Sequence, residues 1–127
     1  MKKLVLILIL ICGLSLTGCN KDAQVNDFIK EYASIIDQVS EKLDESDFDA
    51  ARKVFDDRKE NLRSKWERIK YARSWQIGKE TLDKMNTYPA QHIDRLVKAA
   101  NGAIKQNPAD EEKIKDLVND ITNTVRR

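Results

Sequence analysis

Residues 25–127 of this chain predict an all-α fold, a small bundle of about four helices. Three observations lead there. Apolar residues recur at steps of three and four over long stretches, which is the period of a helix with one buried face. No stretch alternates with period two over the length of a strand. Within these residues, glycine and proline stand where the stripes break off, Gly102 excepted.

The first helix is read from Val25, Phe28, Ile29, Tyr32, Ile35, Ile36, Val39 and Leu43, one stripe that leaves Asp27, Glu31, Asp37 and Lys42 in water. It ends near Asp44 or Glu45. Ser46, with Asp49 three residues on, resembles a capping box opening the second helix, and Asp47 complements the positive helix end.

Phe48, Ala51, Val54, Phe55, Arg58, Leu62, Trp66 and Ile69 form the inner side of that second helix, with Ala72 or Arg73 as its continuation. Nothing between Phe48 and Trp75 is glycine or proline, so the sequence sets no end for it. At Trp75, Ile77 and Gly78 the phase changes. Either a loop interrupts the helix or Gly78 kinks it, and Leu82 and Met85 then resume a stripe.

Asn86-Thr87-Tyr88-Pro89 predicts a second break, because proline drives the residue before it out of helical geometry and is itself suited to a first turn. The third helix then carries Ile93, Leu96, Val97, Ala100 and Ile104, with Gly102 lowering its propensity. Asn107 and Pro108 read as N-cap and first residue of the last helix, and Asp110, Glu111 and Glu112 load its first turn with acid. Its stripe is Ile114, Leu117, Val118, Ile121 and Val125. The phrase from Phe48 to Phe55 is mildly similar to a tetratricopeptide helix, but no second copy follows about 34 residues later.

Ahead of this domain, Met1, Lys2 and Lys3 precede an unbroken aliphatic run from Leu4 to Ile11. A basic n-region before an apolar h-region is the pattern of an export signal. As a helix, Leu4 to Leu16 would reach only about 20 Å, short of the ~30 Å hydrocarbon core. The four residues Leu16-Thr17-Gly18-Cys19 then resemble the lipobox of bacterial lipoproteins. That resemblance implies cleavage before Cys19, acylation of its sulfur and amino group, and stable membrane attachment through two or three acyl chains. Residues 1–18 are then a signal peptide, residues 19–24 a lipidated tether, and residues 25–127 the domain. Asn20, where an aspartate would favour retention at the inner membrane, favours delivery to the outer membrane.

Processing would also remove Cys12, leaving Cys19 as the one cysteine and no intrachain disulfide. The full chain has 23 basic and 21 acidic residues, and without Lys2 and Lys3 the two balance. The distribution is uneven. Residues 20–57 hold eleven acids and five bases, whereas residues 58–105 hold five acids and twelve bases.

Little in the chain points to chemistry. His92 is the only histidine, too few for a zinc site built on imidazoles, and it borders a helix stripe. Glu41, Asp44, Glu45, Asp47 and Asp49 form an acidic end without the glycine-containing loop of an EF-hand. No phosphate-cradling loop is present, so neither a metal nor an organic cofactor is expected. A carboxylate-based hydrolase needs a pocket that so short a helical chain has little material to build. The bases Arg58, Lys59, Arg63, Lys65, Arg68, Lys70 and Arg73 are expected to pair in part with Asp37, Glu41 and Asp44 of the first helix, and not to bind nucleic acid. Arg63, Arg68 and Arg73 are the candidate residues for an acidic protein partner.

These features lead to a non-enzymatic, lipid-anchored envelope protein that acts through protein contacts, as an accessory subunit, adaptor, inhibitor or immunity-like factor. The alternative is a purely structural envelope lipoprotein. The abundant wall-linked lipoprotein of enteric bacteria is a poor match, because its carboxy-terminal lysine is replaced here by Arg127.

Overall fold

A computed structural model describes residues 21–125, so residues 1–18, expected to be an export signal, and Cys19 lie outside the described residues. The described residues form four α-helices in an all-α bundle: α1 (Asp22–Asp44), α2 (Phe48–Ile69), α3 (Lys79–Gln106) and α4 (Glu111–Asn123). Short 3₁₀ turns at Ser74–Gln76 and Pro108–Asp110 precede α3 and α4.

The centre of the bundle is α1, which packs along both α2 and α3, while α4 lies mainly on α3 and touches α2. Because α1 is covered on two sides, its buried face is wide. Every member of the stripe from Val25 to Leu43 is buried, and Ala33 and Ser40 join it. Ser40 satisfies its hydroxyl within the helix by donating to the Ile36 carbonyl at 2.7 Å. Leu62 and Ile69 of α2, Leu96 of α3, and Ile114, Leu117 and Ile121 of α4 close over it. Phe28 stacks on Tyr32 and meets the Trp66 ring at 5.2 Å between centroids.

Four local expectations are not met. Ser46 does not cap α2. It occupies left-handed backbone at φ 59, and the amides of Ser46 and Asp47 return to the carbonyls of Leu43 and Lys42, a Schellman closure of α1. Asp47 therefore takes the cap, its carboxylate accepting from the Ala50 amide at 3.1 Å. Ser46 pairs instead with the Gln106 side chain.

The break at Pro89 is absent: α3 runs unbroken through it, and Tyr88 is helical. Conversely, α2 ends at Ile69, well before Trp75, and the phase change is a loop. Ile77 from that loop is buried in the core while Arg73 is exposed, so the inner side of α2 does not extend to Arg73. At the last connection Pro108 opens a 3₁₀ turn as expected of a first-turn proline, but the Asn107 side chain makes no capping bond.

Candidate functional site

The amino-terminal end of α1 and the loop after α2 are built into one another. The Lys21 amide donates to the Gln76 carbonyl at 2.9 Å, and the Gly78 amide donates to Asp22 Oδ1 at 2.7 Å. A Cβ at position 78 would meet Asp22 Oδ2 at 2.9 Å, so glycine is what lets the carboxylate reach this backbone. Asp22 thereby sits in the first turn of α1 and also at the amino-terminal end of α3, where negative charge is favoured twice. Gln76 shapes the loop further, its Oε1 accepting from the Arg73 amide at 2.9 Å.

This junction carries an exposed aromatic and basic surface. Tyr71 is 75% and Trp75 is 73% exposed, the two most exposed large apolar side chains among the described residues. Arg68, Arg73 and Lys79, each within four residues of one of these aromatics in the sequence, are also exposed and form no ion pair among the described residues. Lys70 pairs with Glu67 at 2.8 Å and lies 5.0 Å from the Tyr71 ring centroid. The hydrogen bond to Glu67 holds its ammonium above the usual lysine range.

The predicted partner residues do not form one ridge. Successive steps of five residues turn a helix by about 140°, so Arg63 and Arg68 face different ways, and Arg73 lies beyond the end of α2. Arg63 pairs with Glu60 at 3.2 Å and rims a groove of about 430 Å³ between α2 and α4 that Arg52, Phe55, Trp66 and Asp120 also line. Arg52 bridges the groove to Asp120 at 2.8 Å, and that hydrogen bond raises its pKa above the usual arginine value.

Pairing of the basic stretch with α1 does occur, on acids other than those expected. Arg58 meets Glu31 at 3.1 Å, and Lys65 meets Asp27 at 3.2 Å. Asp37 turns instead to α3, where His92 Nδ1 lies 2.9 Å and Arg95 3.3 Å from its Oδ1. His92 also packs on Tyr88 at 4.8 Å between ring centroids, at the edge of a groove of about 760 Å³ floored by Ile29 and Ala33 of α1. The sequence places His92 at the border of a helix stripe and carries no signal for its partner 55 residues away.

Of the acidic end, Glu45 pairs with Lys42 and Asp47 serves as the cap of α2. No group of three or more histidine, cysteine, aspartate or glutamate residues converges on a cation position among the described residues. None of the described helices is long and apolar enough to cross a membrane. No family model, curated protein or solved structure matches this chain.

Proposed function

We propose that this chain is a bacterial envelope lipoprotein, acylated at Cys19, that holds a small helical domain at a membrane and acts there by contacting another protein. One observation carries the reading. The lipobox-like Leu16-Thr17-Gly18-Cys19 ends three residues before α1 begins, while the buried core begins at Val25, so cleavage before Cys19 removes no described core residue. A leader is discarded and a complete bundle stays on the anchor. Asn20 directs the reading towards the outer membrane.

Protein contact is the form of action that the surface chemistry favours. Ion pairs within the chain, some of them part-buried, neutralise much of the basic stretch but leave Arg68 and Arg73 unmatched among the described residues, and Arg63 is held only by an exposed neighbour on its own helix. Such charge speeds encounter with an acidic surface more than it deepens affinity.

The test is capture of a stoichiometric partner from detergent-solubilised envelopes by the acylated protein. Replacing Arg63, Arg68 and Arg73 together by glutamate is expected to lower capture about tenfold at low salt, with the loss shrinking at high salt and the helical circular dichroism unchanged. Equal capture by the folded triple variant would make these arginines ordinary solvated surface. Because Arg63 stands apart from the other two, Arg63→Glu alone reads the α2–α4 groove.

A further inference from the structure

We propose that the loop joining α2 to α3 is a membrane-seating surface, on which Tyr71 and Trp75 enter the headgroup layer beside the anchor while Arg68, Arg73 and Lys79 face anionic phospholipid. The inference rests on acylation at Cys19, and adds to it an orientation for the domain.

Cys19 and Lys21 are two residues apart, and two residues span at most about 7 Å however the chain is drawn. The headgroup layer on each side of a bilayer is itself only about 5–7 Å deep. A cysteine whose acyl chains lie in hydrocarbon therefore holds Lys21 within or just above the headgroups. Lys21 is not free to lift away from the bundle, because its amide is bonded to Gln76, the residue next to Trp75. Gly78 and Asp22 lock the same junction a second time. Whatever the bundle does elsewhere, Gln76 and Gly78, and with them the turn that holds Trp75, are carried to the lipid surface.

The chemistry of that segment suits the place. Tryptophan and tyrosine are the side chains that favour the boundary between water and hydrocarbon, since each joins an apolar ring to a polar group. The loop presents one of each, both about three-quarters exposed. In a domain that buries Phe28, Tyr32, Phe55 and Trp66, these are the large aromatics left mostly outside. The bases around them add attraction to anionic lipid. Five bases (Lys21, Arg68, Lys70, Arg73 and Lys79) stand in this region against three acids, Asp22, Glu67 and Glu80. Glu67 is held by Lys70, and Asp22 accepts from Gly78. The more acidic remainder of α1 runs away from this end, which keeps its carboxylates off the anionic surface. Seated this way, Arg68 and Arg73 are turned to lipid in the intact membrane and meet an acidic protein only once detergent has removed it, while Arg63 at the α2–α4 groove stays open to protein in both settings.

The experiment uses the purified acylated protein in vesicles of phosphatidylcholine with three-tenths phosphatidylglycerol, with intact mass first confirming lipid on Cys19. Tryptophan emission is then read with lipids brominated near the headgroup end of the acyl chain, and with aqueous iodide. Trp66 is buried and Trp75 exposed, so the difference between the wild type and Trp75→Phe isolates the loop. The Trp75 component is expected to fall at least twofold with brominated lipid, and to be quenched by iodide at least threefold less than in detergent-free denatured chain. Replacing Arg68 and Arg73 by glutamate should reduce the lipid quenching while circular dichroism stays helical. Trp75 open to iodide and untouched by brominated lipid in an acylated sample would overturn the seating alone, and would leave the patch for a protein. A sample without acyl mass would instead overturn the lipoprotein reading on which the seating depends.

Discussion

Tyr32 lies in the centre of the core, 1% exposed, with its hydroxyl 3.4 Å from the Ile121 carbonyl, and burial pushes its pKa up to about 12. An unfolded tyrosine ionises near pH 10, so between pH 10 and 12 the unfolded chain binds fewer protons than the folded one. Stability is full below pH 10 and falls as pH rises towards 12, by about 2–3 kcal/mol from this residue. Tyr32→Phe should change neutral stability by less than about 1 kcal/mol, since the hydroxyl bond is long. It should also flatten that alkaline limb in urea titrations taken at pH 9 and 12. An equally steep loss in the variant would place the titrating group elsewhere. At this scale the sequence discloses the buried stripe well, because burial follows a local period. It discloses the polar partnerships poorly: Asp22 with Gly78, Asp37 with His92 and Ser46 with Gln106 join residues 55 or more apart, and no local pattern encodes them.

Helix α3 carries the largest difference between local preference and observed structure. Pro89 supplies no amide to the Met85 carbonyl, and its ring crowds the preceding turn, a conflict worth about 3 kcal/mol in an unsupported helix. Tertiary packing overrides it. Leu82 and Met85 before the proline and Ile93 and Leu96 after it all lie on the same core, so a break would remove apolar area from α1. Pro89→Ala should therefore raise stability, by about 1–2 kcal/mol once lost ring contacts with the neighbouring aromatics are counted, measurable by urea unfolding. A destabilised variant would mean that the proline ring is itself a core group. The end of α2 illustrates the opposite case. No breaker residue stops it at Ile69, and the loop forms because Ala72 and Ile77 reach the core only if the chain bends. A phase change in the sequence marks that place without saying which way the chain turns.

Across the whole molecule the uneven charge resolves into position. Acids on α1 take Arg58 and Lys65 from α2 and Arg95 from α3, exposed or half-exposed pairs of modest individual worth. Arg68, Arg73 and Lys79, unmatched among the described residues, gather at the end where the chain arrives from Cys19. The all-α class and about four helices were legible from periodicity alone. Cys19 was legible as a motif, and it lies outside the described residues. The proximity of Trp75 to the anchor was not legible, since it depends on a contact between residues 21 and 76. Everything proposed for this protein hangs on the anchor, and intact-mass analysis of the mature chain from its native envelope tests it most directly. The account predicts a polypeptide starting at Cys19 with the added mass of two or three acyl chains, and an unacylated, unprocessed precursor for Cys19→Ser. A wild-type chain that starts at another residue, or that carries no acyl mass, would contradict it.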